Sequence, residues 1–123
     1  MNMRSHILAV ALALASIPAF AHEPRKGPNG GELVDAGSYH IEVIGKGTTI
    51  EVLISDARDK PVPAAGFKAL AIVVVDGKTQ RIALEPSPDG KKLIGTALAP
   101  LTAIKGAVQV TDKDGKTSTG RIN

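Results

Sequence analysis

From residue 32 onward, apolar and polar positions alternate in short runs, and clusters of Gly, Pro, Asp and Lys separate the runs. A period of two over four to eight residues is the mark of a strand with one buried face. Residues 32–36 read as a first short strand ended by Gly37. Residues 39–44 alternate, with Tyr39, Ile41 and Val43 on one side, and a turn over residues 45–47 leads to residues 48–55, where Ile50, Val52 and Ile54 share a face. Residues 56–63 hold Pro61 and Pro63 among charged residues and read as a corner between sheets. Residues 68–75 are the most apolar run beyond residue 31. Their β-branched end predicts a central strand, and Asp76-Gly77 signals a tight hairpin to residues 79–84. Further strands are predicted over residues 91–98, 107–111 and 116–122, with turns at 86–90 and 112–115. No stretch carries helical periodicity.

About seven strands, punctuated every 8–12 residues or so, predict an all-β, Ig-like antiparallel β-sandwich over residues 32–123. Alternation assigns the core to Leu33, Tyr39, Ile41, Val43, Ile50, Val52, Ile54, Leu70, Ile72, Val74, Ile82, Leu84, Leu93, Val108 and Val110.

Residues 1–21 follow a different rule. Arg4 gives a positive start, residues 7–20 form an apolar stretch, and Ala19-Phe20-Ala21 is a small-x-small cleavage site. This is the pattern of a secretory signal peptide, so the expected mature chain starts at His22 in a bacterial-type periplasm. The apolar stretch is short for a bilayer span and no cysteine follows it, so no stable membrane anchor is expected. Residues 22–31 (HEPRKGPNGG) read as an irregular lead-in.

Composition narrows the chemistry. The chain has no cysteine, which excludes thiol catalysis, disulfides and thiolate metal sites. Its two methionines, Met1 and Met3, fall within the signal peptide, which leaves no thioether for Cu(I). Charges are mixed along the chain without a basic block, so nucleic acid is not an expected partner. Most carboxylates stand in turns, where they form the turn and keep it soluble. No Ser or Thr is placed with a His and an acid as a triad requires, and no enzyme activity is expected.

Two histidines remain after cleavage, His22 and His40. As a first residue, His22 would offer its α-amino group and its imidazole Nδ1 to one metal ion. Both nitrogens deprotonate near neutral pH when a metal competes. Nitrogen donors of this type suit Cu(II) best among divalent ions, with Zn(II) or Ni(II) as alternatives. Glu23 would add an oxygen. His40 and Glu42 are two apart on a predicted strand and share the face opposite Ile41, so together they would complete a site begun at His22.

Residues 27–43 (GPNGGELVDAGSYHIEV) resemble the opening of a domain in periplasmic adaptor subunits of heavy-metal efflux pumps of the resistance-nodulation-division class. Asp59-Lys60-Pro61-Val62, Asp76-Gly77-Lys78 and Pro88-Asp89-Gly90 match further corners and turns of that domain. The chain departs from the pattern at Asn29, where a His is common, and no hairpin, lipoyl-like or barrel part of an adaptor is expected, so it is not expected to be a pump adaptor itself. The resemblance implies a β-sandwich acting beside such a pump. The expected function is that of a periplasmic accessory protein binding a divalent transition metal, with copper first, beside a heavy-metal efflux system. The other reading is a metal-free interaction module docking on an efflux or envelope assembly.

Overall fold

The computed structural model describes residues 25–123. The expected signal peptide, together with His22 and Glu23, lies outside the described residues. The described chain is all-β and antiparallel, with ten strands. They are β1 (Arg25–Lys26), β2 (Glu32–Ala36), β3 (Tyr39–Lys46), β4 (Thr49–Ser55), β5 (Pro61–Val62), β6 (Lys68–Val75), β7 (Lys78–Pro86), β8 (Leu93–Thr96), β9 (Lys105–Thr111) and β10 (Thr117–Ile122). The count exceeds the expected seven partly because the lead-in and the proline corner each contribute a two-residue strand. Arg25 and Lys26 are thus not irregular: they pair with Leu33 and Glu32.

The strands follow one path, β1-β2-β3-β4-β8-β7-β6-β9-β10, with β5 attached to β4. The path curls on itself. Strand β7 makes the bend: its first part pairs with β6, and Glu85–Pro86 pair with β8. At the far end β10 comes back beside β2, close enough that a Cβ on Gly120 would lie 2.9 Å from Val34 Cγ2 and 3.2 Å from the Asp35 carbonyl oxygen. A side chain there would hold the two ends of the path apart, which is why glycine occupies the position.

Ile41, Val43, Ile50, Val52, Ile54, Ile82, Leu84, Leu93, Val108 and Val110 are buried inside the curl, as alternation predicts. Tyr39 is half-buried and meets Phe67 edge to face, with ring centroids 5.4 Å apart. Strand β6 reverses the expectation. Ala69, Ala71, Val73 and Val75 face inward, whereas Leu70 and Ile72 are half-buried and Val74 is 44% exposed on the outer face. The hairpin explains this. Asp76 and Gly77 both have positive φ, as a two-residue primed turn demands, so Val75 stands opposite Lys78. Ile82 then falls opposite Ala71, and Leu84 opposite Ala69, so large residues of β7 pack beside small ones of β6 on the inner face. Leu33 is likewise corrected: it stands opposite Glu42, on the outer face of the first hairpin.

Candidate functional site around His40

The site begins with a two-residue turn. Gly37 (φ 60°) and Ser38 close the β2–β3 hairpin, which sets Ala36 opposite Tyr39 and Asp35 opposite His40. Directly opposed residues share a face, so the Asp35 and His40 side chains project together on the side away from the core. Asp35 Oδ1 lies 3.3 Å from His40 Nε2. The same oxygen accepts a hydrogen bond from the Arg25 guanidinium at 2.6 Å.

The other ring nitrogen is held from the corner after β4. Asp56 Oδ1 accepts hydrogen bonds from the amides of Arg58 (2.8 Å) and Lys60 (3.0 Å), and the Asp56 amide donates to the Lys60 carbonyl. These amides, that of Lys60 first, hold the Asp56 carboxyl below its ordinary value. The loop forces Asp59 into the left-handed region, at φ 61°, and its Oδ1 reaches His40 Nδ1 at 2.8 Å. A second loop of the same build follows β9: Asp112 Oδ1 accepts from the Asp114 and Lys116 amides, and its own amide donates to the Lys116 carbonyl. There the left-handed position is Gly115, the residue that adopts it without strain. Asp59 occupies the equivalent place at a conformational cost, and its carboxylate is what glycine could not supply.

The His40 ring therefore has a carboxylate at each nitrogen while retaining 22% side-chain exposure. A neutral imidazole has one N–H. With that hydrogen donated from Nδ1 to Asp59, Nε2 turns a lone pair toward a carboxylate oxygen, and the contact is attractive only with a cation between them. A proton meets that need, and so does a metal ion. Two donors 3.3 Å apart suit an ion that holds each at roughly 2.0–2.2 Å. A carboxylate on the far nitrogen is the usual support of a metal-ligating histidine, because it fixes the tautomer and the ring orientation.

Glu42 has another place. It shares the His40 face, as expected, but it is 2% exposed and lies under residues 27–31. Its Oε2 accepts hydrogen bonds from the amides of Asn29 (2.9 Å) and Gly31 (2.8 Å), and its Oε1 accepts from Asn29 Nδ2 (2.9 Å). The expected Glu42 oxygen donor is thus engaged elsewhere: its carboxylate is spent on folding the Gly-Pro-Asn-Gly-Gly loop. Gly27 and Gly31 make the loop possible, since a Cβ on either would run into the Glu42 side chain. Asn29 belongs to this clasp.

Among the expected metal ligands, the structure places His40 in a polar cluster and Glu42 outside it, while His22 and Glu23 precede the described residues. Among the described residues no three His, Cys, Asp or Glu side chains converge on one point. Asp35, Asp59 and Arg25 are the cluster members that sequence reasoning missed. Asp35 was within reach, because a two-residue turn at Gly37-Ser38 makes it the cross-strand neighbour of His40. Asp59 gave no such signal, since its approach depends on how the corner folds back. Compared with family models, curated proteins and solved structures, the chain matches none.

Proposed function

We propose that this protein is a periplasmic metal-binding accessory, taking a divalent transition ion, with Cu(II) first, at a site made by His40 Nε2, Asp35 and the His22 terminus. The observation that carries the reading is the Asp59–His40–Asp35 row, in which one carboxylate lies 2.8 Å from Nδ1 and the other 3.3 Å from Nε2. Two donors do not hold such an ion firmly, so further ligands are required, and the segment ahead of Arg25 carries candidate donors. β1 runs antiparallel to β2, and Arg25 already contacts Asp35. His22 precedes Arg25 by three residues, a span of at most about 10 Å. Its amine and imidazole would supply two more nitrogens. Glu23 would be a further oxygen donor, and Asp35 takes the role that the sequence pattern alone gives to Glu42. Arg25 balances the Asp35 charge while no metal is bound. A site of few ligands on an outer face suits a carrier, which must also release its ion. The likeness of residues 27–43 to efflux adaptors supports a place beside a heavy-metal pump, and a non-catalytic role.

The test is Cu(II) titration followed by electron paramagnetic resonance, on protein secreted so that cleavage generates its own terminus. The reading expects one ion per chain with nitrogen hyperfine structure. That signal should be weakened or altered by His40→Ala, by Asp35→Asn and by one extra residue ahead of His22. Weak binding of several ions, indifferent to all three changes, would reject it in favour of the metal-free docking module.

A further inference from the structure

The reversed face of β6 leaves an aliphatic row outside the molecule, and its surroundings select a partner. Leu70, Ile72 and Val74 project from the outer face of β6, between β7 and β9. One row crosses four strands: Arg81 on β7, Ile72 on β6, Ala107 on β9 and Arg121 on β10. It thus runs cation, apolar, apolar, cation, with the two arginine backbones about 14 Å apart at ordinary strand spacing. Lys105 stands opposite Val74 and adds a third cation to the same end. Arg81, Lys105 and Arg121 are all exposed, and none has a carboxylate within ion-pair distance among the described residues. Glu85 on this outer face lies at the other end of β7, towards Lys68, and Asp76 stands exposed in the β6–β7 turn beyond Val75. Ile72, Val74, Ala107, Lys105 and Arg121 border an open groove of about 590 Å³.

From this we infer that the outer face of β6, β7, β9 and β10 docks an acidic segment of a partner protein that carries aliphatic side chains. An exposed apolar patch with a polar rim is characteristic of an interaction site. Three cations with no carboxylate partner among the described residues favour carboxylates on the partner and disfavour a basic one. Ile72, Val74 and Ala107 line the groove with Lys105 and Arg121, and Arg81 stands opposite Ile72 on the next strand, so an occupant of the groove meets cations beside apolar surface. A bilayer surface is broad and flat, whereas Ile72, Val74 and Ala107 lie in a groove. The inference is independent of the metal site, which lies on β2 and β3.

The probe is a short peptide alternating Glu and Leu, followed by amide chemical-shift mapping on protein secreted from the full chain. A peptide alternating Lys and Leu is the control, and mixed phosphatidylcholine–phosphatidylglycerol vesicles test the membrane. The expected result is a set of shifts confined to Leu70, Ile72, Val74, Ala107 and Arg121. The paired change Arg81→Glu with Arg121→Glu should weaken binding about tenfold and transfer the preference to the Lys peptide. Unchanged signals from inward Ile50 and Val52, remote from both substitutions, would show that the variant is folded. Absence of binding by the Glu peptide, equal binding of both peptides, or binding to vesicles alone would each overturn the proposal.

Discussion

Asp59 and Gly115 occupy equivalent places in two loops of the same build, and the contrast assigns Asp59 its work. Glycine adopts positive φ freely, whereas aspartate does so at some cost. Asp59→Gly is therefore expected to leave thermal stability unchanged or slightly raised, while the His40 ring loses its partner at Nδ1 and metal affinity falls. Thermal denaturation and metal titration of the one variant check both halves. A marked loss of stability would instead make Asp59 a structural residue of its loop. Tyr39 gives a second residue-scale reading. Partial burial, followed by the neighbouring carboxylates of Asp112 and Asp114, pushes its phenol above the usual 10.0. It is the sole tyrosine, and the chain has no tryptophan, so phenolate absorbance reports it cleanly. The midpoint should lie above 10.0 and move down in Asp112→Asn.

At the scale of elements, the hairpins set the faces. Leu70, Ile72 and Val74 were expected inside because alternation on β6 offers two apolar faces and the larger residues lie on that one. That placement conflicts with Ile82 and Leu84 also being inside, once the Asp76-Gly77 turn is held to two residues, because the turn puts Ile82 opposite Ala71. The deciding information was the turn length. The same rule makes Asp35 the neighbour of His40. In contrast, β2 and β6 begin and end where the pattern places them, since Gly37 and Asp76-Gly77 stop them sharply. The loop over residues 27–31 was not legible as a folded element. Its order comes from Glu42, thirteen positions from Asn29, and no local pattern announces that contact. Gly31→Ala would place a Cβ 2.6 Å from Ile44 Cγ1 and from the Val43 carbonyl oxygen, and should cost about 1–3 kcal/mol. Glu42→Ala should cost a similar amount by stranding the Asn29 and Gly31 donors. Chemical denaturation measures both. Because both changes act on one clasp, their effects should combine to less than the sum.

For the whole molecule, the core is aliphatic apart from Phe67, and two turn carboxylates are expected to contribute to acid sensitivity. Asp56 is held below 3.8 by the Lys60 and Arg58 amides, and Asp89 by the Ser87 hydroxyl and the Lys91 amide. A carboxyl with a depressed folded value stabilises the fold fully above its unfolded value and loses that contribution as pH falls through the folded one. Stability should thus be level in these two groups above about pH 5 and decline below about pH 4. The Tm difference between wild type and an Asp56→Ala, Asp89→Ala double variant should shrink over that interval. A difference that stays constant to pH 2 or so would show that charge at these turns contributes nothing. The outer faces carry the two proposed activities separately: a cation site where β1, β2 and β3 meet the corner after β4, and a groove across β7, β6, β9 and β10 edged by Lys105 and Arg121.

The central claim is that Asp59 fixes the His40 ring so that Nε2, beside Asp35, accepts a cation. Nitrogen-15 resonances of the imidazole, recorded during titration of the secreted protein with Zn(II) as the diamagnetic probe, test it most directly. The account expects His40 Nε2 to shift to a metal-bound position with one equivalent while Nδ1 keeps its proton, and expects that response to be lost in Asp35→Asn. A ring that ignores the metal, or one that binds it through Nδ1, would contradict the account.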